Sequence, residues 1–209
     1  MEYRYQGRRV CLPDTRDLLL YQIREWRRVG LFPIYLLIGF VGTGKTVIAA
    51  TVAEDCHADK VLGACYFSVG DLILQNQEDP NRIIPILAYQ LARTYPEFEL
   101  ALSPILSTEQ ALHGTIQKQA ENLIIKPLRR VINTEVVIII DALDGFADTG
   151  SLPAMLEALT NIALQVQKVR LFITSRPNKE IMHHFLTRDK ITTTFSLHEV
   201  PRDVVNHDI

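Results

Sequence analysis

The sequence predicts an α/β fold, a three-layer α/β/α sandwich built on a mostly parallel central sheet. Three observations carry that prediction. Short apolar runs that suit buried strands alternate with longer amphipathic stretches that suit helices, the order expected of a parallel sheet covered on both faces. One such run, Ile34 to Ile38, opens directly into Gly39-Phe40-Val41-Gly42-Thr43-Gly44-Lys45-Thr46, and a helix-like stretch follows from Val47. Another, Val136 to Ile140, is β-branched throughout and ends on the carboxylate of Asp141, as a strand buried on both faces would.

The elements follow in order. Residues 1 to 13 show no periodicity and read as an extended arm. Asp14 or Thr15 is the expected cap of a helix over Arg16 to Val29, with Leu19, Ile23 and Trp26 on one face, and Gly30 and Pro33 should end it. Strand Ile34 to Ile38 comes next, then a helix from Lys45 to Cys56 and an apolar strand from Val61 to Phe67. A polar loop spans Ser68 to Pro80, and Ile83, Leu87 and Leu91 share one face of a helix over Arg82 to Thr94. Pro96 and Pro104 should bracket a shorter helix. Pro127 should kink or restart an amphipathic stretch from Thr115 to Ile132. After Val136 to Asp141 the pattern gives a helix over Leu152 to Gln167 and a strand over Leu171 to Thr174, ending in Ser175-Arg176-Pro177. A helix over Lys179 to Leu186 and a strand over Thr192 to Leu197 complete the set.

Composition bounds the function. The 209 residues suit one domain, or one domain with a short arm. Residues 1–30 read as an arm and helix flanking the site, and residues 31–209 as the principal domain. An apolar content of 47% is ample for a core, and a net charge of −2 exerts no general pull on nucleic acid. The pairs Arg8-Arg9, Arg27-Arg28 and Arg129-Arg130 are expected on solvated faces. Cys11, Cys56 and Cys65 are odd in number and lack metal-like spacing, so they read as reduced intracellular thiols, with Cys56 or Cys65 in the core. The start is too polar for a secretory signal, and no apolar run reaches the length of a membrane span. A soluble, cytoplasmic protein with neither a nucleic-acid partner nor a membrane span is the expectation.

The glycine-rich stretch is G-x-x-x-x-G-K-[ST] in the strand–loop–helix setting that phosphate binding requires. Glycines let successive backbone N–H groups turn inward on an anion, and the following helix presents its positive end to the same phosphates. Lys45 adds a charge for the β- and γ-phosphates, and Thr46 is placed to ligate Mg²⁺. The expected nucleotide-binding set is Gly39, Gly42, Thr43, Gly44, Lys45, Thr46 and Val47. Asp141, a carboxylate at the carboxyl end of a buried strand, fits the Mg²⁺-associated acid of the second NTPase motif and pairs with Thr46 as the metal set. Asp144 would polarise the attacking water, hold a metal-bound water, or simply form a turn with Gly145. Arg176 shares the carboxyl edge with Lys45 and Asp141, where it would either read the γ-phosphate or lie on the surface.

Other reactive residues carry little. The six histidines share no ligand spacing, no serine sits in a nucleophile elbow, and Tyr66-Phe67 reads as sheet core. A small GTPase would carry N-K-x-D, whereas Asn178-Lys179-Glu180-Ile181 lacks the aspartate, and the arginine-rich lid of a small-molecule kinase is missing.

The ordered set Cys11-Leu12-Pro13-Asp14-Thr15-Arg16 with Ile23 and Trp26, GFVGTGKT, Leu62 to Ser68, Leu87-Ala88-Tyr89-Gln90-Leu91, VVIIIDALD and LFITSRP resembles a known family. It is similar to the NACHT domain of fungal NOD-like receptors, relatives of heterokaryon-incompatibility proteins in the STAND class of P-loop NTPases, over roughly Cys11 to Ile209. The resemblance implies an innate-immunity switch driven by ATP or GTP with Mg²⁺. The triphosphate state self-associates and signals to an effector, and the ADP or GDP state stays closed. It matches Gly39, Gly42, Gly44, Lys45 and Thr46 to the phosphate loop, Asp141 and Asp144 to the Walker B acids, and Arg176 to the sensor arginine. It also brings Pro13 to Arg16 near the base, without choosing between adenine and guanine.

Two departures qualify these expectations. Gly145 stands where the family usually has glutamate, which predicts slow hydrolysis or none while binding survives. The sequence also stops about where relatives continue into a winged-helix region, so a fragment or stand-alone product of a larger signalling system is expected.

Overall fold

The computed structural model describes residues 7–68, 79–107, 114–131 and 134–197. Five strands form one sheet in which every pairing is parallel: β1 (Ile34–Ile38), β2 (Leu62–Phe67), β3 (Val136–Asp141), β4 (Val169–Ser175) and β5 (Thr192–Ser196). Their order is β2-β3-β4-β1-β5. The expected strands all occur, with ends shifted by a residue or two.

The period of two along the strands divides the core into two layers. Tyr35, Leu37, Cys65, Phe67, Val137, Ile139 and Phe172 face α1 (Asp17–Val29) and α2 (Lys45–Ala58). Ile34, Leu36, Ile38, Ile138, Ile140, Leu171 and Ile173 face the opposite layer. That layer is built from α3 (Ile83–Thr94), α4 (Pro96–Leu106), α5 (Ile116–Gln119), α6 (Lys126–Val131), α7 (Leu152–Gln165) and α8 (Lys179–Leu186). Tyr35 stacks on Phe172 with ring centroids 5.6 Å apart, and Trp26 meets Tyr35 edge-on at 5.3 Å.

Four local expectations need correction or refinement. Neither Asp14 nor Thr15 caps α1. Arg16 occupies the cap in a left-handed conformation (φ 60°) without a side-chain hydrogen bond, and the Thr15 hydroxyl bonds back to Leu12 O instead. Pro104 does not bound α4, which runs on to Leu106. The interruption expected at Pro127 begins ahead of it, and the regular helix restarts as α6 at Lys126. A π-helical turn over Ala120–Ile125 joins α5 to α6, and the Lys126 N–H reaches back to Glu121 O. Pro127 has no N–H to give and would crowd a carbonyl four residues back, and the wider turn ahead of it relieves that conflict.

Arg27 is the fourth. It is 7% exposed rather than solvated, because its guanidinium donates to the Asp59 carboxylate and to Cys56 Sγ across the α1–α2 contact. Cys56 and Cys65 are both core, and burial pushes the Cys56 thiol up to about 12, so it stays protonated. Most of the polar loop expected after β2, together with His113, His198 and His207, lies outside the described residues. Among those residues no helix is long and apolar enough to cross a membrane.

Candidate functional site

The carboxyl ends of β1, β3 and β4 meet at one edge of the sheet, with β4 between the other two. The glycine-rich loop leaves β1 there. Gly39 is pinned, since its N–H donates to Ser175 O at 3.1 Å and a Cβ in its place would stand 2.6 Å from Thr43 Oγ1. Gly42 and Gly44 adopt φ of +79° and +83°, and a Cβ on either would meet nothing within 4 Å among the described residues. The loop therefore needs glycine for its backbone conformation while leaving open space beside it, the shape of an anion cradle. The Thr43 hydroxyl closes the turn onto Phe40 O at 2.8 Å.

Helix α2 starts at Lys45 with its axis behind the loop. Lys45 Nζ lies over the loop, donating to Gly39 O at 2.8 Å and Phe40 O at 2.9 Å. Burial lowers its pKa, an effect opposed by Asp144 and then Asp141. Val47 lies within the first turn of α2 and accepts the Thr51 hydroxyl at its carbonyl. Thr46 Oγ1 donates to Asp141 Oδ2 at 2.9 Å, joining the loop to the end of β3 across 95 residues of sequence. Asp141 is 2% exposed, and burial raises its pKa against the hydrogen bonds from Thr174 and Thr46. Both partners stabilise the charged form.

Asp144 and Arg176 face each other beside this pair. Arg176 donates its backbone N–H to Asp144 Oδ1 at 2.8 Å, and its Nε lies 3.3 Å from Asp144 Oδ2. The Asp144 side chain is 14% exposed and that of Arg176 57%. Asp144 thus does more than form a turn: it orients the arginine, whose side chain stays largely in solvent. Gly145 is exposed, and among the described residues a Cβ there would meet only Ser68 Oγ, at 3.8 Å.

Two residues of this edge were not singled out by the sequence. Thr174 Oγ1 donates to Asp141 Oδ1 at 2.6 Å and accepts the Ala142 N–H at 3.0 Å. A hydroxyl closing an otherwise apolar strand run was the available signal. Arg8 donates to Ser68 O at 3.2 Å and lies over the Phe67 ring, and nothing in the sequence separates it from its neighbour Arg9. The Pro13 to Arg16 segment reaches the loop through Arg16, whose Nη2 is 3.5 Å from Thr43 O. Tyr66 and Phe67 are core, as expected.

The open glycine cradle, the lysine above it and the Thr46–Asp141 pair fit a phosphate chain with a bound Mg²⁺, an oxygen-seeking cation. Together with the all-parallel sheet they define a P-loop NTPase fold. Residues 17–176 match the model of the nephrocystin 3, N-terminal family, and the chain belongs to that family. No curated protein matches the sequence. Among solved structures, the Orc1 protein of Aeropyrum pernix in complex with DNA superposes with a TM-score of 0.54 at 19% identity, over 93% of this chain and 50% of that one. The chain thus spans half the length of that protein. PCH-2 of C. elegans gives a TM-score of 0.37 at 15% identity, over 85% of this chain and 40% of that one, too low to bear on the fold.

Proposed function

We propose that the chain is a nucleotide-dependent switch module of the kind found in fungal NOD-like receptors and heterokaryon-incompatibility proteins. On this reading it binds ATP or GTP with Mg²⁺, rests with ADP or GDP, and hydrolyses the triphosphate slowly. The observation that carries it is the Thr46–Asp141–Thr174 chain of side-chain hydrogen bonds beside the open glycine cradle. Bound Mg²⁺ would supply positive charge that offsets the charge of the phosphate oxygens. The N–H groups from Gly42 to Thr46 receive the phosphates, Lys45 exchanges its loop carbonyls for phosphate oxygens, and Thr46 and Asp141 hold the metal. Asp144 orients Arg176 and an attacking water, and Arg176 contacts the γ-phosphate. Self-association and a cytoplasmic setting complete this reading.

Gly145 supports a second reading, a hydrolysis-deficient module stabilised by its nucleotide. The position is exposed and bears no carboxylate, where the resembling family has glutamate. Single-turnover hydrolysis separates the two.

The binding reading is tested by the thermal midpoint of the chain with Mg²⁺ and each of ATP, ADP, GTP and GDP. A ligand at 100 times its Kd adds about 2.7 kcal/mol, several degrees for a domain of this size. Lys45→Ala is expected to abolish the shift, and an equal shift in the variant would overturn the phosphate-loop assignment.

A further inference from the structure

The segment from Gly7 to Arg16 is tied to the end of β2, to α2 and to the glycine-rich loop. Arg16 reaches the loop at Thr43 O, and midway the Cys11 N–H donates to Thr51 Oγ1 on α2 at 2.9 Å. At the far end, among the described residues, Arg8 is anchored on the end of β2. Its Nη2 donates to Ser68 O at 3.2 Å, and its guanidinium carbon lies 4.9 Å from the centroid of the Phe67 ring. Phe67 is the register partner of Asp141 on the adjacent strand, a spacing of about 4.8 Å. Phe67 faces the α2 layer, and so does Asp141, which continues the alternation of Val137 and Ile139. The Arg8 charge also acts on Asp141, helping to hold its carboxylate ionised against burial.

We propose that Arg8 is a third cationic contact of the nucleotide site, delivered by the amino-terminal segment, and that it favours a nucleoside triphosphate over the diphosphate. The proposal rests on the nucleotide-binding reading. Lys45 approaches the phosphates from the head of α2 and Arg176 from the end of β4, while Arg8 approaches from the β2 edge. A triphosphate carries more negative charge than a diphosphate, so a cation fixed at this edge attracts it more strongly. The planar guanidinium fork matches phosphate oxygens, and the Phe67 face keeps the fork oriented. Arg8 thereby couples the position of residues 7–16 to the nucleotide held.

The test is calorimetric titration of the full chain and its Arg8→Gln and Arg8→Lys variants with Mg²⁺ and ATP, ADP, GTP or GDP, using a hydrolysis-resistant triphosphate analogue where turnover interferes. Arg8→Gln is expected to lose roughly tenfold in triphosphate affinity and less than about threefold for the diphosphate, the scale of one charge-assisted hydrogen bond. Arg8→Lys, which keeps the charge without the fork, should fall between them. Equal losses for both nucleotides, or no loss, would overturn the proposal. Should the unaltered chain bind no nucleotide, both readings fail. Should it bind, with Lys45→Ala abolishing binding and Arg8→Gln matching the parent, only the Arg8 inference fails. Matching thermal midpoints of the nucleotide-free proteins exclude misfolding as the cause, and Arg8→Lys carries the comparison if Arg8→Gln is destabilised.

Discussion

Thr174 donates to Asp141 while accepting from the Ala142 N–H, so one hydroxyl fixes both the carboxylate and the chain that leaves β3. Thr174→Val keeps the shape and deletes the hydroxyl. It leaves a buried N–H without its acceptor, at a cost of about 1–3 kcal/mol. Urea unfolding at pH 7 should show that loss together with weaker Mg²⁺-nucleotide binding, and an unchanged midpoint would refute the role. Ala142 sits next to this bond at φ 59°, a left-handed conformation that costs an L-residue roughly 1–2 kcal/mol. The extra chain entropy of glycine takes back about 0.5–1 kcal/mol, so Ala142→Gly should be neutral to stabilising by up to about 1 kcal/mol. Gly145 is the residue where sequence and geometry together frame an experiment, because its side is open. Gly145→Glu is expected to raise single-turnover hydrolysis by about 10²-fold or more if a missing carboxylate is the limit. An unchanged rate would place the limit elsewhere.

Strands β1 to β4 were legible in the sequence because they are buried on both faces and therefore read as largely apolar runs, whereas β5 is a threonine-rich edge strand that is only half-buried. Val136–Ile140 and Ile34–Ile38 have burial patterns with no exposed position. Helix ends were less legible, since they depend on backbone conformations that composition does not encode. Arg16 enters the left-handed region at the head of α1, and the interruption at Pro127 begins as a π turn ahead of it. Arg27 shows the same limit for charge. Its place in an Arg-Arg pair suggested solvent, yet α1 turns it against α2, where among the described residues its Nε has no hydrogen-bond partner. A buried guanidinium bonded in part stabilises little. Arg27→Met keeps the volume and the α1–α2 contact, so equilibrium unfolding should show stability within about 1 kcal/mol of the parent or above it. A loss of several kcal/mol would mean that the Asp59 bond holds the two helices together.

At the scale of the whole molecule, the order of the strands assembles the site, and that order is what the sequence conceals. Lys45 was legible from the glycine-rich motif, and Asp141 and Arg176 from the carboxyl ends of apolar runs. That β4 lies between β1 and β3, so that Thr174 bridges to Asp141, became visible only with the sheet built. The opposite layer holds a titratable joint of its own. His184 on α8 is 9% exposed and meets Thr160 on α7, Nε2 to Oγ1, at 2.9 Å. Its Nδ1 lies 3.3 Å from Arg188 Nη1, which only a deprotonated nitrogen can accept, so the neutral Nε2–H tautomer fits both contacts. Burial lowers its pKa, with Arg188 and His183 acting the same way and Glu157 opposing.

A histidine depressed on folding binds its proton more readily in the unfolded chain. Below its ordinary value near 6.5 the unfolded state therefore takes up protons first, and stability falls as pH drops through the window beneath 6.5. Asp141 and Glu135, whose pKa values burial raises, act in the opposite sense at lower pH, so the histidine contribution must be isolated by difference. His184→Gln retains an amide donor for Thr160 and cannot charge. Unfolding free energies of parent and variant, measured by urea from pH 5 to 8, should differ by a constant above pH 7, and the parent should lose ground as pH falls below 6.5. Parallel curves across the whole range would mean that His184 takes up its proton without disturbing the α7–α8 contact.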